Sequence, residues 1–265
     1  MASLAPTEID LYSREGFLVP QYRLGEERVA DLREALDRVI RANPDVRPEQ
    51  LVSAHIREPT NEGVTGDNVF LDLARDEEIV DIVSQVIGPN VILWGCQIFC
   101  KPGGDGMEVP WHQDGHYWPI RPLATCTVWI AIDDSRVENG CLRVLPRSHR
   151  KGALLDHIRE DREDIVLNQR VEDKILDLDA ATDVELEAGQ MSLHDVYLAH
   201  GSNANRSTHR RAGIAIRYMP GSSHFDRELF TPSTDVNYTI DFTARPLWLL
   251  RGEDLTGRND FSVGH

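Results

Sequence analysis

Apolar residues in the first third of the chain recur at helical spacing within charged segments. One such stretch stops at Asn43-Pro44, and a second spans residues 76 to 87 and stops at Gly88-Pro89. Because a helix with one apolar stripe packs that stripe against another surface, both predicted helices should lie on something flat. The apolar positions are Val29, Leu32, Leu36, Val39 and Ile40 in the first helix, and Ile79, Val80, Val83, Val86 and Ile87 in the second.

The N-terminal end carries turn signals of its own. Thr7-Glu8-Ile9-Asp10 has the form of a capping box, which predicts a helix start, and Gly16 would end that short helix in the left-handed conformation. The run from Gly16 to Pro20 then predicts an edge strand, because proline cannot donate to a sheet ladder. Residues 51 to 75 show no clear period and predict loops with short strands.

From Val91 onward, short apolar runs alternate with turns rich in Gly, Pro and Asn. Helices followed by many short strands predict a mainly β protein with flanking α-helices, built on a double-stranded β-helix of jelly-roll or cupin type. We expect one domain over residues 1–265, with a helical part to about 88, the barrel at about 89–220 and an extension at 221–265. The predicted strands are Val91 to Cys100, Thr125 to Ile132, Cys141 to Leu145, Met191 to Ala199 and Ala212 to Met219.

Composition narrows the class of protein. A chain of 265 residues with 41% hydrophobic residues fits one large domain. It has no apolar run of about 18 residues, and its N-terminus lacks the basic and apolar regions of a signal peptide, so we expect a cytoplasmic protein without a membrane span. The four cysteines do not form C-x-x-C pairs and predict buried free thiols.

The charge is strongly negative. Lys and Arg number 28 against 44 Asp and Glu, a net charge of −16, which disfavours nucleic acid and anionic membranes and favours a small-molecule partner. Much of the excess lies in residues 156 to 187, which predict either a solvated insertion between strands or a lid over a pocket. A local basic cluster could attract an anionic substrate or form a surface loop. Its members are Arg143, Arg147, His149, Arg150 and Lys151.

The segment from Trp111 to Pro119 combines residue types that bind metals. His112 and Asp114 are two positions apart in a stretch with strand character, so both side chains would point to the same face. Two histidines and one carboxylate form the facial triad of non-haem Fe(II) oxygenases. Because a bare His-x-Asp pair is a weak signal, the sequence must supply a second histidine.

His194 or His200 could be that second histidine. An even step of six along one strand would place both on the same face. His200 is the stronger candidate, because it precedes a Gly-Ser turn where a strand end would open into the barrel mouth, and Arg211 follows it by eleven residues. His194 is then interpreted as a hydrogen-bonded histidine in or beside the strand.

An iron ion with three protein ligands leaves positions for other molecules. A 2-oxo acid that chelates the metal can supply the electrons for O2 activation, and its far carboxylate needs a fixed cation. Arg211 suits this role because a guanidinium binds a carboxylate with two parallel hydrogen bonds, to which the Ser202 hydroxyl could add another. The alternatives are that Arg210-Arg211 is a surface pair, or that a slip in register gives the role to Arg210 or Arg217.

The chain resembles the phytanoyl-CoA dioxygenase family of Fe(II)/2-oxoglutarate oxygenases over roughly residues 7 to 255. The combination of motifs is highly specific, although each piece alone is not. The motifs are His112-Gln113-Asp114, the run from His116 to Pro122, the run from Glu138 to Pro146, Ser148-His149, and His200-Gly201-Ser202 with Arg211 and Tyr218.

The resemblance implies roles for individual residues. It implies that His112, Asp114 and His200 hold the iron. It also implies a set of contacts to 2-oxoglutarate, namely Arg211, Ser202, Gln97, Gln113 and Trp129. A slip of one residue would turn any of the last three to the opposite face, and Trp129 could equally be a core residue.

The predicted function is a dioxygenase that uses Fe(II), 2-oxoglutarate and O2 to hydroxylate an aliphatic C–H bond of a small polar metabolite, releasing succinate and CO2. Related halogenases have a small residue in place of the carboxylate that is Asp114 here, so the resemblance implies hydroxylation and not chlorination. The alternative is a cupin-like metal protein that binds or hydrolyses a ligand without 2-oxoglutarate turnover. His116, Tyr117 and Trp118 would either face the substrate or pack against the barrel mouth.

Overall fold

The computed structural model describes residues 2–58, 63–229 and 241–265. The α-helices of these residues all precede the long strands. They are α1 Pro6–Glu15, α2 Glu26–Ala42, α3 Asn68–Ala74 and α4 Glu77–Ile87. Asn43 and Gly88 follow α2 and α4, so both predicted helix ends are confirmed. Within the described ranges, none of the helices is both long enough and apolar enough to cross a bilayer.

The start of α1 differs from the prediction, and its end agrees. The helix begins at Pro6, and the Glu8 carboxylate accepts a hydrogen bond from the Ala5 backbone N–H at 2.8 Å. A capping box at Thr7 to Asp10 is therefore wrong by two residues, because a proline in the first helical position loses no hydrogen bond. Gly16 ends the helix with φ of 83°, as predicted.

Residues 51 to 75 contain a helix that the sequence pattern did not reveal. The described residues of this range hold one short strand and α3, whose preceding residue Asp67 accepts a hydrogen bond from the Val69 backbone N–H at 3.0 Å. Seven residues make two turns, which is too short for a periodic pattern to stand out. The prediction of loops was wrong there because the capping residue carries the only local signal.

The strands of the described residues form two sheets and two ribbons. All the pairings are antiparallel. In chain order the strands are β1 Phe17–Leu18, β2 Leu51–Val52, β3 Val91–Lys101, β4 Val109–His112, β5 Ile120–Arg121, β6 Cys126–Ala131, β7 Leu142–Val144, β8 His157–Arg159, β9 Gln169–Val171, β10 Thr182–Val184, β11 Met191–Asp195, β12 His200–Ser202, β13 Arg211–Pro220, β14 His224–Phe225 and β15 Trp248–Arg251.

The larger sheet has the order β1-β11-β6-β13-β3-β15, with β2 also paired to β3. The smaller sheet has the order β10-β7-β12-β4, and the ribbons are β5 with β14 and β8 with β9. Neighbours in each sheet are distant in the chain, as a jelly roll requires, so the predicted fold class is confirmed. β1 lies at the sheet edge, as predicted.

Alternation along β3, β6 and β13 gives the larger sheet two different faces. One face joins the helices in the main apolar core, to which α2 contributes Leu32 and Leu36 and β6 contributes Val128. The opposite face lines a cavity and carries the residues between those core positions. Its members on these three strands include Gln97, Phe99, Thr127, Trp129, Arg211, Ala215 and Arg217.

The predicted strand from Met191 to Ala199 is too long: only its first five residues form a strand, β11, and the rest is a turn that leads to β12 at His200. β11 stops at Asp195, whose carboxylate accepts a hydrogen bond from the Tyr197 backbone N–H at 2.8 Å. The Leu198 N–H donates to the Asp195 carbonyl at 3.0 Å. These two bonds make a turn, so the chain leaves the larger sheet and enters the smaller one as β12.

The cysteines Cys96, Cys100, Cys126 and Cys141 are all buried and free, as predicted. Burial raises the pKa of Cys100 and of Cys126 to about 12. These thiols are therefore protonated apolar packing groups, not nucleophiles.

Candidate metal centre

His112 and His200 meet across the smaller sheet. β4 and β12 pair so that the two residues are directly opposite each other, and the ring centroids are 4.2 Å apart. Both side chains are buried. Residues 88 positions apart in the chain are thus brought together by strand pairing.

The two histidines are held in the same tautomer. The Nδ1 of His112 lies 2.9 Å from the Pro110 carbonyl, and the Nδ1 of His200 lies 2.9 Å from the Leu198 carbonyl. A carbonyl only accepts, so each Nδ1 carries a proton, and Nε2 is the ring atom of each histidine that could bind a metal. Burial, followed by neighbouring histidines, lowers the pKa of His200 well below its usual value, so this ring is neutral.

Asp114 reaches the same point from a turn and not from a strand. β4 ends at His112, and Asp114 begins a 3-10 turn, so the expectation of one strand face was wrong, although the side chains still converge. The Thr127 hydroxyl donates to the Asp114 carboxylate at 3.2 Å. Burial alone would raise the pKa of Asp114, but contacts with His112 and His194 hold it well below its usual range.

His194 lies beside the cluster in the larger sheet. Its ring centroid is 4.6 Å from that of His200, and its Nε2 is 3.5 Å from an oxygen of Asp114. The argument that His194 and His200 share a strand face is wrong, because the turn after Asp195 separates them. In the described part of the chain, the group whose donor atoms suit a metal consists of His112, Asp114 and His200.

The geometry of this group fits a divalent ion. The three donor atoms lie within 4.8 Å of one another, and the Nε2 of His112 is 3.7 Å from an oxygen of Asp114. An octahedral ion with bonds of about 2.1 Å needs neighbouring donors roughly 3 Å apart, so a contraction of an ångström or two would close the site. Two imidazoles and one carboxylate are donors that suit iron.

A cavity of about 470 Å³, including its open mouth, extends from the metal cluster to Arg211. We call this the first lobe. Arg211 is 2% exposed, its guanidinium lies 5.4 Å above the Trp129 ring, and Nη1 donates to the Phe99 carbonyl at 3.3 Å. No carboxylate of the described residues forms an ion pair with it, and burial lowers its pKa to about 10. A buried cation of this kind is stabilised by an anionic ligand.

Arg210 points away from the first lobe. Its guanidinium donates to Asp133 at 2.8 Å and to Asp37 at 3.0 Å, in contact with α2. Arg210 lies just before β13 and is bound to surface carboxylates, whereas Arg211 is the first residue of the strand and faces the cavity. The packing of Trp129 beneath Arg211 depends on Gly213, where a Cβ atom would lie 2.1 Å from the indole ring.

Lys101 lies behind the first lobe's wall, and the sequence reasoning missed it. It is fully buried, and its Nζ donates to the Ser202 hydroxyl at 2.7 Å and to the carbonyl of Asn203. Ser202 lines the first lobe, so Lys101 orients its hydroxyl from behind. A lysine at the end of an apolar strand is usually a surface residue. The signal for burial was its position in β3, two residues after Phe99 and so on the strand face that lines the cavity.

The three weaker candidates for cosubstrate contact have different surroundings. Trp129 lines the first lobe. Gln97 lines a second space, and its oxygen accepts from Arg217 at 3.1 Å. Gln113 lines neither: its amide donates to the Tyr197 carbonyl at 2.6 Å, and its oxygen accepts from the Leu155 N–H at 2.6 Å, which ties two loops together.

The second space, about 510 Å³ including open solvent, adjoins the metal cluster on the side away from Arg211. We call it the second lobe. Its wall includes Tyr117 and Trp118, so two of the three aromatic candidates after the metal motif face it. His116 stacks on His157 at a centroid distance of 4.1 Å instead. Two buried arginines complete the wall, Arg217 and Arg245, and the sequence reasoning did not select Arg245.

The acidic stretch 156–187 divides into two parts. Leu167 lines the second lobe, and Val166 packs against Met107 near its mouth. The residues after 171 are mostly exposed, and the buried exceptions, Val184 and Leu186, lie in and just after β10 at the edge of the smaller sheet. The first part therefore covers the cavity, whereas most of the second part is a solvated surface.

Contacts within the basic cluster are those of a surface loop. Arg143 pairs with Asp183 at 2.9 Å and Arg147 with Glu15 at 2.8 Å. Arg150 donates to a carbonyl of α1. These side chains connect surface elements and line neither lobe.

The chain is similar to known oxygenases. It is 33% identical over 148 residues to a probable alpha-ketoglutarate-dependent hypophosphite dioxygenase of Stutzerimonas stutzeri, an alignment that covers 55% of this chain and 51% of that relative. It is 27% identical to the peroxisomal phytanoyl-CoA dioxygenase of Bos taurus, over 93% of this chain and 81% of the relative. The crystal structure of EvdO2 from Micromonospora carbonacea var. aurantiaca, complexed with 2-oxoglutarate, superimposes with a TM-score of 0.68 at 20% identity, covering 89% of this chain and 98% of that one.

The family model described as phytanoyl-CoA dioxygenase matches residues 12–213. The matched range contains the whole metal cluster and Arg211, and it ends before Arg217. Since the match covers most of the sequence, the chain belongs to the phytanoyl-CoA dioxygenase family.

Proposed function

We propose that this dioxygenase hydroxylates an aliphatic C–H bond of a small polar metabolite, with release of succinate and CO2. One observation carries the proposal: His112, Asp114 and His200 converge on one point of a cavity whose first lobe ends at the buried guanidinium of Arg211. A metal site and a fixed cation on one cavity suit a chelating 2-oxo acid with a second carboxylate.

Iron and 2-oxoglutarate, the cofactor and cosubstrate predicted from the sequence, agree with the family and with the donor set. With iron bound, oxidative decarboxylation of 2-oxoglutarate supplies the oxidising power for attack on a C–H bond. The chain's own residues provide the rest. The imidazoles of His112 and His200 and the carboxylate of Asp114 would hold the ion and would leave positions for other ligands.

Arg211 has the second role, as the cation that binds the far carboxylate of 2-oxoglutarate. Its planar guanidinium can donate two hydrogen bonds, Trp129 supports its face, and Ser202 can add a hydroxyl. The walls on both sides are apolar, with Phe99 and Leu142 among them, and they exclude water from the reacting atoms.

Two features support hydroxylation of a small compound in particular. Asp114 occupies the position that related halogenases leave without a carboxylate, which disfavours chlorination. One relative is named as a probable hypophosphite dioxygenase, and hypophosphite is a very small molecule. Burying the charge of Arg211 costs free energy. A metal protein that does not use 2-oxoglutarate would have no anion in the first lobe to offset that cost.

Turnover of 2-oxoglutarate tests the proposal. Protein purified without oxygen is mixed with Fe(II), 2-oxoglutarate and O2, and succinate is measured by mass spectrometry against a sample without metal. We expect succinate above the metal-free background, rising further with a substrate from a broad panel of polar metabolites. Succinate at background across the panel would favour the metal-binding alternative. Detection of a chlorinated product in chloride buffer would instead contradict hydroxylation.

A further inference from the structure

The two oxygens of the Asp114 carboxylate face different parts of the molecule. Oδ1 lies 3.7 Å from the Nε2 of His112, on the side of the metal cluster. Oδ2 lies on the side of the larger sheet, where it accepts a hydrogen bond from the Thr127 hydroxyl at 3.2 Å and lies 3.5 Å from the Nε2 of His194. In the described part of the chain, the Thr127 hydroxyl is the one group that donates a hydrogen bond to this carboxylate.

Thr127 and His194 reach Asp114 from neighbouring strands. They are directly opposite each other in the antiparallel pairing of β6 and β11, so their side chains lie side by side on the face that lines the cavity. Both side chains are buried. Asp114 comes instead from the turn after β4, a strand of the smaller sheet. The contact therefore joins the two sheets at the one metal-binding candidate that does not lie in a strand.

The imidazole of His194 is a buried polar group in search of an acceptor. Neither of its ring nitrogens has a hydrogen-bond partner among the described residues, and the ring is 2% exposed. Leaving a buried donor unpaired costs roughly 1–3 kcal/mol. A shift of about 0.5 Å would bring Nε2 and Oδ2 to an ordinary hydrogen-bond distance. Asp114 is thus the carboxylate that His194 is placed to bind.

The binding mode of a carboxylate decides how many positions a metal ion keeps for other ligands. Three protein donor atoms leave three positions on an octahedral ion, of which a chelating 2-oxoglutarate takes two and O2 needs the third. If Asp114 bound through both oxygens, the protein would fill one of these positions. A carboxylate whose second oxygen is held by hydrogen bonds from the protein cannot turn that oxygen to the ion without breaking them.

We propose that Thr127 and His194 are positioning residues that hold Oδ2 of Asp114, so that Asp114 binds the metal through Oδ1 alone and a position stays open beside 2-oxoglutarate. We call these two residues the carboxylate clamp. The assignment rests on the proposed function, because it takes a metal ion and 2-oxoglutarate to bind at the cluster. It gives His194 a role that is neither that of a ligand nor that of a packing group.

Variants without the two donors test the clamp. Thr127→Val and His194→Leu keep an apolar side chain of similar size and lose the hydrogen-bond donor. The full-length protein is titrated without oxygen, first with Co(II) and then, at saturating Co(II), with 2-oxoglutarate. We expect each variant to bind Co(II) about 3- to 10-fold more weakly than the wild type, and the double variant about 10- to 100-fold more weakly.

The same titrations report on the binding mode. The visible absorption spectrum of Co(II) responds to a change in its donor atoms, so it should differ between each variant and the wild type. Binding of 2-oxoglutarate to the Co(II)-loaded variants should weaken about 3- to 10-fold, because the second oxygen of Asp114 then competes for a position on the ion.

Conservative variants separate hydrogen bonding from packing. Thr127→Ser keeps the hydroxyl and His194→Gln keeps an N–H donor, so each should bind Co(II) within about twofold of the wild type and keep its spectrum. Ser192→Ala is the matched control. It loses a buried hydroxyl from the same strand as His194, and Ser192 lines neither lobe. Its affinities for Co(II) and 2-oxoglutarate should also stay within about twofold.

A purely structural role would give a different pattern. Urea unfolding of the metal-free proteins measures the stability that each variant loses. A less stable Thr127→Val whose Co(II) spectrum and affinities for Co(II) and 2-oxoglutarate are those of the wild type would overturn the clamp. The same conclusion follows if Thr127→Ser does not restore what Thr127→Val loses. If Thr127→Val does not fold, His194→Leu and His194→Gln provide the same comparison.

The failure of this inference differs from the failure of the proposed function. If the wild-type protein binds neither Co(II) nor Fe(II), or if its bound metal does not respond to 2-oxoglutarate, the proposed function is wrong. If the wild type binds both the metal and 2-oxoglutarate, and Thr127→Val and His194→Leu bind them equally well, only the carboxylate clamp is wrong.

Discussion

The two lobes of the cavity share the metal cluster but are built in different ways. The first lobe is lined mainly by side chains inside the range 12–213 that matches the family, among them Arg211, which follows His200 by eleven residues. Ala215 and Arg217, just beyond that range, also line it. The second lobe combines Arg217, the aromatic residues after the metal motif, and Arg245 from the C-terminal extension. Both lobes contain buried arginines, but only the first is formed mainly by regular strands.

This difference suggests that the first lobe serves the shared chemistry and the second lobe serves substrate selectivity. Every 2-oxoglutarate oxygenase must bind the same diacid, so one rigid strand geometry serves the first lobe. A substrate differs from one enzyme to the next, and loops and chain ends can change without disturbing the sheets. If the comparison is correct, substitutions should affect one lobe, the other, or both, according to where the side chain lies.

The largest effect is expected from a residue that serves both lobes. His200→Ala removes an Nε2 ligand, so iron affinity should fall by at least about 100-fold and succinate formation should stop. Iron content after dialysis and succinate yield measure this. His194→Ala is the matched control. Its iron affinity should stay within about 10-fold of the wild type, since His194 contacts the ligand Asp114 but is not itself a proposed ligand. Loss of iron in His194→Ala alone would mean that the ligand was misassigned.

A change confined to the first lobe should come next. Arg211→Lys keeps the charge but loses the planar fork, so the KM for 2-oxoglutarate should rise about 10- to 100-fold while iron affinity is unchanged. Steady-state succinate formation at varied 2-oxoglutarate gives the value. Arg210→Lys should change the KM by less than about twofold, because Arg210 is bound to Asp133 and Asp37. The reverse ranking would show that the register of β13 is wrong.

A smaller effect should reach the first lobe indirectly. Gly213→Ala places a methyl group against the Trp129 indole, which must shift and withdraw its support from Arg211. We expect up to about 3 kcal/mol of lost stability together with a several-fold rise in the KM for 2-oxoglutarate. Urea unfolding and steady-state kinetics measure the two. A destabilised variant with an unchanged KM would show that Trp129 is only a core residue.

The smallest effect concerns the wall behind the second lobe and depends on pH. The folded pKa of His55 is about 3, below its ordinary value of 6.5, so as the pH falls below 6.5 the unfolded chain binds a proton that the folded chain does not. Stability that is present above pH 6.5 is therefore lost on acidification, by about 2 kcal/mol between pH 7 and pH 5. His157 and His200 act in the same direction.

Urea unfolding of the metal-free protein at pH 7 and pH 5 checks this. The variant His55→Gln should lose about 2 kcal/mol less than the wild type between the two pH values. An identical loss in both proteins would mean that His55 is protonated in the folded state. The positive charges of Arg245 and Arg217 would then not keep the ring neutral.

Local patterns were enough for much of the fold and for the candidate metal ligands. The helical spacing of α2 and α4, the left-handed Gly16 and the apolar runs of β3, β6 and β13 are all present in the structure. They were readable because each depends on residues only a few positions apart. α3 was missed because two turns leave no period to count.

The candidate site was readable only in part. The sequence selected Arg211, which lies in the first lobe, whereas Arg210, just before β13, is bound to Asp133. Gln113 could not be placed, because its amide is bound by loops 40 to 84 residues away in the chain. Arg245 had no local signal, since it reaches the cavity from the C-terminal extension.

By itself, the sequence determined which donor atoms are available, two imidazoles, a carboxylate and a guanidinium, and which face of each strand carries them, because both follow from residue type and a period of two. Only the tertiary structure decided that His200 and not His194 pairs with His112, and that a second lobe with two arginines adjoins the metal. Those outcomes depend on which distant strands pair and where a turn redirects the chain, and the free energy of such contacts belongs to the whole packed barrel and not to any short segment.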